Sequence, residues 1–147
     1  MIKSVLVVCV GNICRSPVGE RSLQERLQSL NIKSAGIAAL VGHSADETSS
    51  LAAAERGLSL AEHKACQFTT AMAHDYDLIL VMEAGHKREI IKLAPHLSGK
   101  IMLFDHWNGG KGIPDPYRKP IEAHRGVIDL ILTAADTWAT RLNGKNQ

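Results

Sequence analysis

Four consecutive apolar residues near the N-terminus, Val5-Leu6-Val7-Val8, carry three β-branched side chains and no alternation with polar ones. Such a run reads as a strand buried on both faces, and a sheet built from strands of that kind needs helices on either side of it. The chain supplies them. Ser16-Pro17 offers a helix cap followed by proline at the first helical position. Leu23, Leu27 and Leu30 give that helix an apolar stripe. Ile32 to Ala35 read as a second strand, ended by Gly36. Asp46 or Thr48 caps a helix from about Ser49 to Arg56, closed by Gly57. Tyr76 to Met82 form a further strand, Ala84 to Leu93 the helix after it, and Lys100 to Phe104 another strand. A Gly/Pro-rich loop from Asn108 to Pro116 leads to a last helix, Pro120 to Leu142, with Ile128, Ile131, Leu132, Ala135 and Trp138 on one side. The alternation predicts an α/β fold: one domain over residues 1–147, a three-layer sandwich with a central, mostly parallel twisted sheet of about four strands and helices on both faces. Ligand sites in such sheets lie at the carboxyl ends of the strands, where the strand order reverses.

Composition narrows the function classes. Hydrophobic residues at 45% and charged residues at 22% fit a folded globular chain rather than a disordered one. The net charge is only +2, with no basic run, and aromatic residues make up 4%, so no nucleic-acid partner is expected. The opening apolar run is far short of the roughly 20 residues a membrane span needs. A polar loop follows it rather than a small-residue cleavage site. The expectation is a cytoplasmic chain that starts at or near Met1 and does not insert into a membrane. Three cysteines, an odd number, suit a reducing compartment better than a disulfide framework. No His-x3-His or Cys-x2-Cys pair occurs among them and the seven histidines, so no metal is expected. The glycines match neither a dinucleotide fingerprint nor a Gly-x4-Gly-Lys-Ser/Thr loop, and no cofactor is expected.

The most informative stretch is Cys9-Val10-Gly11-Asn12-Ile13-Cys14-Arg15-Ser16-Pro17, between a buried strand and a helix start. Backbone N–H groups of the turn and of the helix N-terminus form a cradle for an anion. Arg15 adds a planar fork able to grip two phosphate oxygens. Cysteines in such positive surroundings have pKa values of roughly 3.5 to 7.5, so Cys9 is the candidate nucleophile. Gly11 lets the backbone approach the anion, Ser16 can donate its hydroxyl to the thiolate, and Asn12 braces the loop. Cys14 is either a redox partner of Cys9 or a packed small side chain, and Cys66 reads as structural. Asp115-Pro116-Tyr117 is the second piece. A phenolate leaves slowly without a proton, since phenol has a pKa of about 10, and a carboxylic acid over the cradle can supply one. Proline at 116 restricts Asp115 to extended conformations and helps to aim it.

With these residues in place the chain resembles the low-molecular-weight protein tyrosine phosphatases over nearly its whole length. The resemblance rests on Val7 to Pro17, on Ser34-Ala35-Gly36 and on Asp115-Pro116-Tyr117. It implies hydrolysis of phosphotyrosine through a phosphocysteine without a metal, with Cys9 as nucleophile, Arg15 as phosphate ligand and Asp115 as general acid. It implies substrate binding by Val10, Gly11, Asn12, Ile13, Cys14 and Ser16, with Leu40, His43 and Tyr117 at the rim. The bacterial branch is the nearer match, which implies a tyrosine autokinase of exopolysaccharide or capsule production as the phosphotyrosine partner. Two departures from eukaryotic members stand out: Leu40 and His43 where an aromatic is common, and Arg118 after Tyr117 where a second aromatic is common. Three other readings compete. An arsenate reductase of the related fold needs two further cysteines, which Cys66 alone does not supply. A phosphocysteine carrier of a sugar-transport system has no use for Asp115. A non-catalytic phosphotyrosine-binding module would have no need of both Cys9 and Asp115.

Overall fold

The computed structural model describes residues 1–146, with side chains described as far as residue 143. Four parallel strands, β1 (Ser4–Cys9), β2 (Asn31–Gly36), β3 (Leu78–Val81) and β4 (Ile101–Leu103), form one sheet in the order β2-β1-β3-β4. Every residue of β1 is buried, as its unbroken apolar run requires. Its side chains alternate between two cores. Val5 and Val7 pack with Leu78 and Leu80 against helices α1 (Arg15–Arg26), α2 (Glu47–Glu55) and α5 (Ile121–Asn146). Leu6 and Val8 pack with Ile79, Val81 and Ile101 against α3 (Thr70–Ala73), α4 (Ala84–Leu93) and a 3-10 segment, Pro95–Lys100. The three-layer α/β architecture follows from that division, and all four strands are parallel.

Local chemistry sets the boundaries. Asp46, not Thr48, caps α2, accepting from the Ser49 N–H at 3.0 Å. The cap expected at Ser16 is not formed: α1 begins at Arg15, two residues before Pro17, with Cys14 in the cap position. The Ser16 hydroxyl is engaged beneath the loop instead, and Pro17 sits in the first turn, where a missing N–H costs no helical bond. Leu30 lies beyond the end of α1, in the turn before β2. β3 and β4 are shorter than their apolar runs, whereas α4 has the expected ends. Helix α5 is pinned by the buried Trp138 indole, whose N–H donates to the Phe104 carbonyl at 2.6 Å. Gly19 lets α1 lie close to the sheet; a Cβ there would stand 2.9 Å from Val7 and 3.0 Å from Phe104. Among the described residues no helix is long and apolar enough to cross a membrane.

Candidate active site

β1 delivers Cys9 to the carboxyl edge of the sheet, between β2 on one side and β3 on the other. Here the strand order reverses, where the topology places a ligand crevice. The loop from Cys9 to Ile13 curls above this point, and each of its carbonyls accepts a hydrogen bond from outside it. The donors are Ile37 N–H to Cys9, Ala38 N–H to Val10, Leu40 N–H to Gly11 and Asp46 N–H to Ile13, at 2.8–3.1 Å. The His63 Nε2–H donates to the Asn12 carbonyl at 2.6 Å. Because N–H and C=O point opposite ways across a peptide plane, drawing the carbonyls outward turns the N–H groups inward, making an anion nest. Gly36 permits the close approach of β2: a Cβ there would fall 2.3 Å from the Val10 carbonyl oxygen.

The left-handed residue of the loop is Asn12, at φ 58°, and not Gly11. Its fully buried side chain holds that conformation in place. Oδ1 accepts from the Cys66 N–H at 2.8 Å, which leaves Nδ2 to donate to Ser16 Oγ at 2.7 Å and Ser34 Oγ at 3.0 Å. The Ser34 hydroxyl in turn donates to Glu20 Oε1 at 2.9 Å. Since Ser16 Oγ already accepts from Asn12, its hydroxyl proton is free for Cys9 Sγ, 2.8 Å away. Polar contact thus runs unbroken from Glu20 to the thiol.

Arg15 is 2% exposed, so its charge must be matched inside the protein. Nη1 donates to Glu83 Oε2 at 2.5 Å and to the Ile113 carbonyl at 2.8 Å. Nη2 lies 3.9 Å from Asp115 Oδ2. Asp115 is aimed by a short turn in which its Oδ1 accepts from the Tyr117 N–H at 3.0 Å. Cys9, Val10, Gly11, Ile13, Cys14 and Arg15 floor a pocket of about 190 Å³, and Ala38, Leu40, Asp115 and Tyr117 wall it. A larger open groove of about 750 Å³, between Ser44 and Glu62, contains none of the candidate site residues.

The structure therefore brings together Cys9, the loop, Arg15, Asp115, Leu40 and Tyr117. Asn12 and Ser16 stand behind the pocket rather than in its wall, acting on it through hydrogen bonds. His43, expected at the rim, is exposed and does not line this pocket; its N–H donates to the Leu40 carbonyl and its carbonyl accepts from the Ala65 N–H. Cys14 packs with Ile13 and Ala65, and burial, with smaller effects from nearby carboxylates, pushes its thiol up to about 12 against an opposing bond to Ser49. Cys66 has an exposed side chain, and its backbone N–H does the structural work at Asn12. Glu83, Glu20 and His63 are absent from the sequence reading, and Ser34 enters it only within the Ser34-Ala35-Gly36 motif. Only Glu83 had a signal: it follows a buried strand at the carboxyl edge of the sheet. No group of three or more His, Cys, Asp or Glu side chains able to hold a metal occurs among the described residues.

Similarity to known proteins is extensive. Residues 4–147 match the family described as low molecular weight phosphotyrosine protein phosphatase. The low molecular weight protein-tyrosine-phosphatase Etp of Escherichia coli K12 is 49% identical over 140 residues, covering 95% of each chain. The crystal structure of the tyrosine phosphatase Wzb from Escherichia coli K30, in complex with sulphate, superposes with a TM-score of 0.95 at 50% identity, covering 97% of this chain and 99% of that one. The Erwinia amylovora tyrosine phosphatase AmsI gives a TM-score of 0.93 at 48% identity, covering 96% of this chain and 93% of that one. A cysteine and an arginine around an anion nest, a carboxylate opposite them and a match along almost the whole chain agree: this protein belongs to the low molecular weight phosphotyrosine protein phosphatase family.

Proposed function

We propose that this protein is a protein-tyrosine phosphatase working through a phosphocysteine, with residues 1–147 as one catalytic domain, Cys9 as nucleophile, Arg15 as phosphate ligand and Asp115 as general acid and then base. The observation that carries this reading is the single 190 Å³ pocket that Cys9, Arg15 and Asp115 share. The inward N–H groups and the free edge of Arg15 hold the three phosphoryl oxygens, with the phosphorus above Cys9 Sγ. Sulfur attacks as the P–O bond to the tyrosine breaks, and Asp115 gives its proton to the departing phenolate oxygen. The carboxylate then takes a proton from water attacking the phosphocysteine, and the S–P bond breaks. The Ser16 hydroxyl, 2.8 Å from Sγ, stabilises sulfur as the leaving thiolate. Ile13, Leu40 and Tyr117 give the pocket apolar sides suited to an aryl ring.

We further propose a cytoplasmic site of action and a tyrosine autokinase of exopolysaccharide or capsule production as partner. Support for both comes from the resemblance to the bacterial branch and from relatives such as Etp, Wzb and AmsI. The arsenate reductase alternative is not favoured, since Cys14 is buried with a raised pKa and Cys66 has no second exposed cysteine. The test is release of p-nitrophenol from p-nitrophenyl phosphate and of phosphate from phosphotyrosine and phosphoserine peptides, each with and without chelator. Turnover of the aryl ester and the phosphotyrosine peptide, unaffected by chelator, is expected. Failure to cleave either of these, or loss of activity with chelator, would contradict the reading.

A further inference from the structure

Arg15 is oriented by Glu83, and Glu83 is in turn gripped by His86, a residue the proposed chemistry does not use. Glu83 is the N-cap of α4 and His86 the third residue of that helix, forming a reciprocal capping box. The Glu83 N–H donates to His86 Nδ1 at 3.2 Å, so Nδ1 carries no proton and the proton of the neutral ring is on Nε2. Nε2 lies 3.5 Å from Glu83 Oε2, the same oxygen that accepts from Arg15 Nη1. One imidazole edge therefore faces both the backbone and the carboxylate of a single residue. His86 is 7% exposed, whereas the Glu83 side chain is 45% exposed and is held by polar contacts, to Arg15 and to His86.

We propose that His86 is a positioning residue for phosphate binding: protonated on Nε2 only, it clamps Glu83 so that the Arg15 guanidinium keeps Nη1 on Glu83 and Ile113 and presents its other edge to the phosphoryl group. The proposal rests on the phosphatase reading for its meaning, not for its test. The charged groups facing His86 are Glu83 on its own helix, Arg15 from α1 and Asp115 from the loop before α5. Burial, reinforced by the Arg15 charge, holds its pKa below the ordinary histidine value, which keeps the ring neutral at physiological pH. Adding a proton to Nδ1 would set two donors against each other at the Glu83 N–H and release the clamp.

Two isosteric replacements separate the two halves of the ring. His86→Asn keeps an acceptor for the Glu83 N–H but has nothing at the Nε2 position. His86→Gln extends an amide N–H towards Oε2. Inorganic phosphate binding, measured by titration calorimetry, reads the cradle without requiring turnover. His86→Asn should weaken phosphate binding about two- to threefold, the lower end of what one hydrogen bond is worth as affinity and all that a 3.5 Å contact supplies, while its Tm stays near the wild-type value. His86→Gln should bind phosphate like the wild type at neutral pH. It should also lack a fall in affinity that the wild type shows at acid pH, where His86 gains a proton. In a Glu83→Ala background, His86→Asn should have no further effect. Wild-type phosphate affinity in His86→Asn, a drop in Tm without a drop in affinity, or an undiminished effect in the Glu83→Ala background would overturn the proposal. A wild-type protein that binds phosphate but cleaves no ester would refute the phosphatase reading and leave this comparison intact.

Discussion

Gly36 gives the sharpest test of how closely the sheet and the phosphate loop are fitted. Alanine at this position puts its Cβ 2.3 Å from the Val10 carbonyl oxygen and 3.0 Å from the Asn12 Cβ and N. Relief to 3.0 Å from Val10 requires a movement of at least about 0.7 Å. β2 has little freedom to give way, since the Gly36 N–H donates to the Cys66 carbonyl and its carbonyl accepts from Phe68, at 2.9 and 2.8 Å. The loop must move, and the Ala38 N–H to Val10 carbonyl bond that turns the Gly11 amide inward is the one lost. Displacing reacting groups by 1 Å costs about 100-fold in rate, so Gly36→Ala should lower kcat/KM for p-nitrophenyl phosphate by about 10- to 100-fold. Overpacking should cost about 1–3 kcal/mol in urea unfolding as well, leaving the variant folded. A Gly36→Ala protein with more than half of the wild-type kcat/KM would refute the claim that the loop's geometry depends on this contact.

The other expectations concern proton supply, redox chemistry and a control. Asp115→Asn should lower kcat for aryl phosphates by about 10²- to 10⁴-fold, and the loss should shrink as the leaving group becomes more acidic; a loss independent of leaving-group pKa would make Asp115 structural. Cys14 bears on recovery from peroxide. With its thiol held up at about 12, its thiolate fraction at neutral pH is small and rises with pH. The rate of Cys9–Cys14 disulfide closure on oxidised Cys9 should therefore increase about tenfold per pH unit over pH 7–9 in the wild type, and after peroxide a dithiol should restore most wild-type activity but much less of that of Cys14→Ser. Equal recovery in both proteins would show that Cys14 gives no protection. Gly126→Ala, on α5 with open space where the Cβ would go, should gain about 0.5–1 kcal/mol in urea unfolding with unchanged kcat/KM.

What could be read from the sequence is what is local in it. Cys9 and Arg15 are six residues apart on one strand–loop–helix unit, so their meeting needs no knowledge of the rest of the fold. The strands were legible because burial on both faces leaves an unbroken apolar run, although β3 and β4 pair over fewer residues than those runs cover. The supports of the site were not legible. Glu83 reaches Arg15 across 68 positions and the Ile113 carbonyl across 98, and only the parallel pairing of β1 with β3 brings them together. Ser34 was visible only as part of the Ser-Ala-Gly motif; its bond to Asn12 depends on the β1–β2 register. The helix start was misplaced because Ser16 and Pro17 imitate a cap, while the hydroxyl is drawn off to Asn12 and Cys9. Of the two residues expected from the loop after β2, Leu40 lines the pocket and His43, three positions on, does not.

The central claim is that a phosphoryl group passes through the sulfur of Cys9. Mixing Asp115→Asn with p-nitrophenyl phosphate slows breakdown of the intermediate, because the base that activates water is gone while the acidic phenol still departs. Acid quench followed by intact and peptide mass spectrometry should then find one phosphoryl group per chain, on the peptide containing Cys9, and none in a Cys9→Ser, Asp115→Asn double variant. Turnover with no phosphorylated Cys9 peptide at any quench time, or the same label in the double variant, would contradict it.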